Sequence, residues 1–219
     1  MKLKNDRGGN LFEIPGTLRR EAGAENIDTF YLSSGYRVIA GVDEAGRGAI
    51  AGPVCAAAVI LGENKIDGLN DSKKLSADVR EKLYGEILKG AKAVGISMHS
   101  AAWIDESDIL KCTLESMKIA VVTLGLKPDI VLVDGSIQPK WGWDSVALVK
   151  GDSRSRSIMA ASIVAKVSRD RWMVAAAKYY PGWDFEKHKG YCVMSHVNKV
   201  RERGVSPIHR MTFSPCSEL

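Results

Sequence analysis

Residues 36–61 read YRVIAGVDEAGRGAIAGPVCAAAVIL. Two apolar runs, residues 36–42 and 55–61, flank a glycine-rich turn. Short runs of this kind that end at glycines predict buried β-strands. Because the connection between them is too short for a helical crossover, we expect the two strands to pair antiparallel.

The rest of the chain alternates predicted helices and strands. The clearest helix carries apolar residues every three or four positions, at Leu110, Leu114, Met117, Val121 and Leu124, and stops at Gly125. We predict further helices over residues 17–32, 77–89, 157–178 and 195–203, and further strands over residues 93–98, 130–133 and 145–149. This order predicts an α/β protein with a mixed five-stranded sheet flanked by helices.

The composition excludes several classes of protein. The chain has 219 residues, 45% of them hydrophobic, which is too many for a disordered protein. No apolar run approaches the roughly 18 residues of a membrane span, and no apolar segment follows the first positive charges. The four cysteines form no CxxC pair, so we expect reduced thiols. We therefore expect a soluble, cytoplasmic protein.

Charge is distributed unevenly along the chain. Residues 1–149 carry 18 basic and 20 acidic residues (net −2), and residues 150–219 carry 13 basic and 6 acidic residues (net +7). A basic final third is typical of a protein that binds nucleic acid. A solvated basic face without a partner is the alternative, and composition does not separate the two.

Acidic residues follow three of the predicted strands. Asp43 and Glu44 follow the first strand, Asp134 follows the fourth and Asp152 follows the fifth. Any one of them alone fits a turn or a helix cap. Strands of an open α/β sheet deliver their carboxyl ends to a common edge, so together these acids favour one pocket. Clustered carboxylates repel one another unless they bind a cation, and an all-oxygen ligand set favours Mg²⁺ or Mn²⁺.

Glu44 introduces a geometric condition. Adjacent residues of a regular strand point to opposite faces, so Asp43 and Glu44 share a metal site only if the strand breaks between them. We expect the strand to break at Glu44, because the conformational freedom of Gly46 lowers the free-energy cost of leaving the strand there. Two hard cations about 3.5–4 Å apart match in-line hydrolysis of a phosphodiester.

Five blocks of sequence, in order, resemble the bacterial ribonuclease HII family. They are GVDEAGRG at 41–48 continuing to AGPV at 51–54, LNDSKKL at 69–75, VDG at 133–135, KGD at 150–152 with AASIVAKVSRD at 160–170, and HKGY at 188–191 with SPIHR at 206–210. The resemblance implies an N-terminal extension over 1–35, partly flexible with a helix, and a short tail over 214–219. Between them it implies a ribonuclease H-like catalytic domain over 36–213, with a C-terminal helical substrate-binding region.

The resemblance also implies an activity. It implies a metal-dependent endoribonuclease that hydrolyses the RNA strand of RNA–DNA hybrids. It further implies incision 5′ of ribonucleotides embedded in duplex DNA, giving 3′-hydroxyl and 5′-phosphate ends by two-metal catalysis with Mn²⁺ or Mg²⁺. We expect a monomer that acts in ribonucleotide excision repair; the sequence does not indicate whether it contacts a replication clamp.

By resemblance, ten residues form the site. The catalytic and metal-binding acids are Asp43, Glu44, Asp134 and Asp152. The substrate-binding residues are Gly46, Arg47 and Gly48 at the ribose 2′-hydroxyl, Lys73 and Lys74 at phosphates, and Tyr191 at the deoxyribose after the ribonucleotide. Further positive potential in the groove is expected from Lys150, Arg154, Arg156, Lys166, Arg169, Lys187 and Lys189.

The sequence departs from the family pattern at two places, and two other functions are weighed against the endoribonuclease. Ala49 and Ile50 stand where the family usually has Pro-Leu, and Cys192 stands where a further glycine is common. A catalytically silent nucleic-acid-binding module is one alternative, although such a protein gains nothing from carboxylates placed against phosphate. A DNase of ribonuclease H-like fold is the other.

Overall fold

The computed structural model describes residues 25–218, and five strands in it form one sheet of order β3-β2-β1-β4-β5. They are β1 (Ile39–Ala45), β2 (Val54–Ile60), β3 (Ala93–His99), β4 (Ile130–Asp134) and β5 (Ser145–Leu148). Strands β1, β2 and β3 pair antiparallel, whereas β1 with β4 and β4 with β5 are parallel. The predicted mixed five-stranded sheet is confirmed.

Seven α-helices surround the sheet in the described part of the chain. They are α1 (Glu25–Ser33), α2 (Ala77–Gly90), α3 (Ala101–Glu106), α4 (Ile109–Val122), α5 (Arg156–Tyr179), α6 (Phe185–His188) and α7 (Met194–Arg203). Four helices match the predicted ranges closely; α1 overlaps the end of the helix predicted over 17–32. The remainder of that helix, and most of the predicted N-terminal extension, lie outside the described residues.

Helices cover both faces of the sheet. On one face, α5 and α2 pack against β2, and on the other face α4 packs against β1, β2 and β4. Helix α5 approaches β1 closely, because a Cβ on Gly41 would lie 2.0 Å from the carbonyl carbon of Ser157. None of the helices between residues 25 and 218 combines the length and hydropathy needed to span a membrane.

Strand β1 continues further than its sequence predicts. Asp43 pairs with Ala57, Glu44 with Ala56, and the pairing ends only at Ala45. The expected break at Glu44 is therefore wrong: the alanine-rich strand β2 supplies a complete antiparallel partner for the acidic pair. The chain leaves the sheet at Gly46, whose φ of +93° lies in the left-handed region.

Candidate active site

Three carboxylates meet at the carboxyl edge of the parallel strands. Asp43 lies in β1, Asp134 is the last residue of β4, and Asp152 lies in the 3₁₀ turn Gly151–Ser153 that follows β5. One carboxylate oxygen from each residue lies within 4.8 Å of the others. The parallel pairing of β1 with β4 and of β4 with β5 brings these three chain segments together.

The three carboxylates are crowded and poorly solvated. Asp43 is only 4% exposed. Burial raises its pKa well above the usual range, and the charges of Glu44 and Asp134 raise it further. Burial and the charge of Asp152 likewise raise the pKa of Asp134. The cluster therefore holds more negative charge than its surroundings stabilise.

Protein hydrogen bonds offset part of this cost. The backbone N–H of Glu44 donates to Asp43 Oδ1 at 2.7 Å, and the hydroxyl of Ser162 also bonds to the Asp43 carboxylate. The backbone N–H of Asp152 donates to Asp134 Oδ1 at 3.2 Å. These donors orient the carboxylates but do not neutralise them.

A divalent cation fits this donor set. All three ligands offer carboxylate oxygen, which is the preference of hard ions such as Mg²⁺ and Mn²⁺. A bound dication removes the mutual repulsion that raises the pKa of Asp43 and Asp134. The chemistry of the cluster thus matches the metal site that the sequence predicts.

Glu44 lies beside the cluster and is not one of its three members. Burial raises the pKa of Glu44, and the Asp134 charge adds to the rise against the opposing charge of Arg47. Arg47 Nη1 approaches Glu44 Oε1 at 3.5 Å, and the Arg47 side chain is 48% exposed. Glu44 is therefore close enough to the cluster for the charge of Asp134 to affect its pKa, and the half-exposed Arg47 lies next to it.

Lys73 places a positive charge beside Asp152. Its Nζ lies 3.2 Å from Asp152 Oδ2, and its side chain is 78% exposed. Lys74 follows in the same 3₁₀ turn, Ser72–Lys74, and is exposed. The turn is fastened to α5 by a hydrogen bond of 2.9 Å between the hydroxyls of Ser72 and Ser162. Sequence reasoning assigned no role to either serine, although both lie within blocks that resemble the family, Ser72 in LNDSKKL and Ser162 in AASIVAKVSRD.

The glycine–arginine–glycine turn and Tyr191 are neighbours. Ala49 forms a β-bridge with Tyr191, and the N–H of Ile50 donates to the Gly190 carbonyl at 2.9 Å. Lys166 Nζ lies 4.9 Å from the centroid of the Tyr191 ring. Because Gly46 directly follows β1, the turn also adjoins the acidic edge.

Arg169 does not lie on the surface of the groove. It is fully buried, and its guanidinium donates to the carbonyls of Ala51, Pro53 and Lys189 at 2.8 to 3.0 Å. Arg169 thus holds two loops together and does not contact the groove from its surface; the contribution of its charge to the groove potential stays a prediction. Arg210, which the sequence analysis did not single out, is buried in the same way.

The chain is similar to known proteins over most of its length. The family model described as Ribonuclease HII matches residues 40–216. The ribonuclease HII of Caldicellulosiruptor bescii is 48% identical over 214 residues, covering 97% of each chain. The ribonuclease H2 of Pyrococcus horikoshii OT3 has a similar structure, with a TM-score of 0.69 and 27% identity over 83% of this chain and 96% of that one.

A second solved structure, of Archaeoglobus fulgidus ribonuclease HII in complex with PCNA, has a TM-score of 0.69 and 28% identity, and covers 81% of this chain and 95% of that one. The sheet order and its flanking helices are accordingly those of the ribonuclease H-like fold. From its family match, its close relatives and its fold, the chain belongs to the ribonuclease HII family and is an endoribonuclease.

Proposed function

We propose that this endoribonuclease incises duplex DNA 5′ of a single embedded ribonucleotide and leaves 3′-hydroxyl and 5′-phosphate ends. Membership of the ribonuclease HII family implies activity on RNA–DNA hybrids. The bridge between Ala49 and Tyr191 carries the finer proposal, because it sets an aromatic ring beside the Gly46–Gly48 turn. Backbone donors of such a turn suit a 2′-hydroxyl, and a ring suits the adjoining sugar.

The proposed roles follow from placement at one edge of the sheet. Asp43, Asp134 and Asp152 hold the divalent ions, Mg²⁺ or Mn²⁺. Glu44 lies in the regular part of β1 and outside this cluster, but the charge of Asp134 raises its pKa, and this proximity supports Glu44 as a further ligand from the side of the cluster. Bound by these carboxylates, two such ions would supply activation of the attacking water and stabilisation of the leaving oxygen. Lys73, next to Asp152, holds the phosphate close to these acids.

The residues around the acids position the substrate. Arg47 is free enough to turn from Glu44 toward a phosphate. Lys74 extends the contact along the strand, and Tyr191 packs on the deoxyribose that follows the ribonucleotide. The three clustered carboxylates speak against a silent binding module, because they repel phosphate in the absence of cations.

We also propose a pathway, a compartment, an oligomeric state and a partner for the enzyme. A nick beside a ribonucleotide begins ribonucleotide excision repair, which we assign to the cytoplasm. A monomer suffices, since the proposed site residues all belong to one chain. The Archaeoglobus relative, solved with PCNA, supports a contact between this chain and a replication clamp.

A cleavage assay on three substrates tests the proposal. The protein is incubated with a duplex bearing one ribonucleotide, an RNA–DNA hybrid and an all-DNA duplex, each with Mn²⁺, Mg²⁺ or EDTA. We expect a single nick 5′ of the ribonucleotide, cleavage of the hybrid, and no product with EDTA. Binding without cleavage identifies a silent module, and equal cleavage of all-DNA duplex identifies a DNase.

The variant Asp43→Asn tests the assignment of the acids. We expect cleavage to fall at least about 100-fold, since a group that only supports a metal ligand is already worth 10- to 100-fold. Affinity for the hybrid should change little, because the amide keeps the shape of the carboxylate that it replaces. Asp67→Asn, which removes a carboxylate that is 87% exposed, is the matched control and should cleave normally. Full activity of Asp43→Asn contradicts the assignment.

A further inference from the structure

A buried guanidinium lies directly beneath the Gly46–Gly48 turn. Arg210 is 0% exposed. Its Nη2 donates to the Gly46 carbonyl at 2.7 Å, and its Nη1 donates to the Arg47 carbonyl at 2.9 Å. Nε and Nη2 also donate to the Gly52 carbonyl, at 3.0 and 2.9 Å. One side chain thus holds both ends of the loop through its carbonyl oxygens.

This anchoring fixes the direction of two peptide N–H groups. In a planar trans peptide the C=O and the N–H point in opposite directions. When Arg210 holds the Gly46 carbonyl inward, the N–H of Arg47 points outward, and the Arg47 carbonyl sets the N–H of Gly48 in the same way. Both residues are exposed. Within residues 25–218, neither N–H has a hydrogen-bond acceptor.

The remainder of the loop is different. The N–H of Ile50 donates to the Gly190 carbonyl at 2.9 Å, and the N–H of Gly52 donates to the Ile208 carbonyl at 2.7 Å. These groups are used internally to fasten the loop. The two donors left open are therefore the pair whose peptides Arg210 anchors. Adjacent outward N–H groups of this kind form a concave site for an oxygen ligand.

Burial of the positive charge of Arg210 costs free energy that a side chain serving only to hold the loop does not require. None of the ion pairs between the described residues includes it. Burial and the neighbouring charge of Arg169 lower the pKa of Arg210 to about 9. Its charge is balanced by carbonyl dipoles, by the Phe213 ring 5.1 Å away and by the charge of Asp105, without a carboxylate among the described residues in ion-pair contact. Burial of a cation on these terms costs free energy. In return, a cation on a peptide oxygen polarises that peptide and strengthens its N–H as a donor.

We propose that Arg210 is a positioning residue for ribonucleotide recognition, which holds the N–H groups of Arg47 and Gly48 toward the substrate's 2′-hydroxyl and the neighbouring phosphate oxygen. The inference rests on the proposed function, because it concerns how a ribonucleotide is distinguished from a deoxyribonucleotide. It assigns this selectivity to a side chain that touches no substrate.

Binding measurements on Arg210→Lys test the inference. Lysine keeps the positive charge but lacks the planar fork that reaches three carbonyls. All proteins carry Asp43→Asn and are titrated in EDTA, so that the substrate stays intact during the measurement. Fluorescence anisotropy then gives the affinity for a duplex with one ribonucleotide and for the matched all-DNA duplex. The control is Arg201→Lys, since Arg201 is exposed on α7.

We expect Arg210→Lys to weaken binding of the ribonucleotide duplex by about 10-fold, equivalent to one or two net hydrogen bonds. Binding of the all-DNA duplex should change less than about twofold, and Arg201→Lys should alter neither affinity. An equal loss on both duplexes identifies a merely structural arginine and overturns the inference. The inference is also overturned if Arg210→Lys prefers the ribonucleotide duplex over the all-DNA duplex as strongly as the parent protein does. That result leaves the proposed function intact.

Two further observations keep the inference testable. If the parent protein itself binds both duplexes equally, the proposed function fails, and the inference fails with it. If Arg210→Lys does not fold, the amide resonances of Arg47 and Gly48 in the parent protein decide the question. We expect the ribonucleotide duplex to shift at least one of the two resonances that the all-DNA duplex leaves in place, since only the 2′-hydroxyl differs between them; the absence of that difference overturns the inference.

Discussion

At the scale of single residues, Gly46 determines how the strand becomes the proposed substrate turn. Its φ is +93°, and a Cβ there would lie 2.0 Å from Nε of the buried Arg169. Gly46→Ala therefore strains the backbone and displaces a guanidinium that holds three carbonyls. We expect the free energy of unfolding to fall by about 2–4 kcal/mol, as for overpacking combined with backbone strain. Urea denaturation measures this loss.

Gly48 provides a matched comparison in the same turn. A Cβ on Gly48 meets no atom within 4 Å. We expect the unfolding free energy of Gly48→Ala to stay within about 0.5 kcal/mol of that of the parent protein. Its affinity for a ribonucleotide duplex should nevertheless fall, since the added methyl stands beside an N–H proposed to face the substrate. Equal stability of the two variants contradicts our account of Gly46.

Residues differ in how well their positions could be predicted. The meeting of Asp43, Asp134 and Asp152 follows from their places at the ends of predicted strands, because the topology of an α/β sheet brings such ends together. The burial of Arg169 and Arg210 does not follow. An arginine inside a protein has the same sequence appearance as one on the surface. Its burial depends on which carbonyls the tertiary structure gathers around it.

At the scale of elements, helices and strands with a strong apolar period could be predicted from the sequence, whereas short helices could not. Helix α4 and strand β2 have clear apolar patterns, and both lie close to their predicted ranges. Helices α3 and α6 were missed because they have six and four residues, too few to show a period. The end of β1 was misplaced because its acidic residues look like a turn, while pairing with β2 keeps them in the sheet.

A chain of histidines joins α6 and α7 to the loop that follows them. The N–H of Ser206 donates to His209 Nδ1 at 2.8 Å, so the proton of His209 is on Nε2 and points to His196 Nε2 at 3.0 Å. His196 Nδ1 then donates to the Tyr191 carbonyl at 3.0 Å. His188 stacks on His196 with ring centroids 4.0 Å apart. This arrangement uses neutral imidazoles and ties Tyr191 to the C-terminal region.

The free energy of unfolding should therefore depend on pH through the protonation of His196 and His209. Burial lowers the pKa of both His196 and His209 from 6.5 to about 4. The unfolded chain takes up protons below about pH 6.5, but the folded protein does so only near pH 4. The contribution of these two neutral rings to the free energy of unfolding is therefore complete above pH 6.5 and is lost as the pH falls toward 4. We expect a loss on the order of 3 kcal/mol by pH 4 for each of the two rings.

Urea denaturation between pH 4 and pH 8 measures that loss. The acidic cluster acts with the opposite sign, because the raised pKa values of Asp43 and Asp134 favour the folded state as pH falls. A double variant, His196→Gln with His209→Gln, retains those acids. The difference between its curve and the wild-type curve isolates the histidines. Parallel curves from pH 6.5 to pH 4 contradict the prediction.

At the scale of the whole molecule, negative and positive charge are separated along the surface. The acids occupy one edge of the sheet, and a cleft of about 820 Å³ lies between α2, α5 and α6, next to Tyr191. The cations that line this cleft are Arg80, Lys166, Arg171, Lys178, Lys187 and Lys189. They outnumber the two lining carboxylates, Glu81 and Asp170, which pair with Arg171 and Lys166. Phosphates are repelled by bare acids and attracted by the cleft, so we expect nucleic acid to bind through the cleft before the acids engage it.

The salt dependence of binding tests this use of the cleft. Lys178 is exposed at the end of α5, and no ion pair among the described residues includes it. Lys178→Gln should reduce the slope of log affinity against log salt by about 1 for an RNA–DNA hybrid, since one phosphate contact fewer releases about one counterion fewer. Anisotropy titrations between about 50 and 200 mM KCl measure the slope.

Lys118→Gln removes the same charge from α4, on the opposite face of the sheet, and should leave the slope unchanged. This comparison separates a local contact from the general field of the basic C-terminal third. A field acts on the nucleic acid from every lysine within a Debye length of about 10 Å, whereas counterion release requires a lysine at the phosphate itself. Equal slopes for the two variants show that the cleft does not hold the backbone, and that the positive charge serves only to attract the substrate.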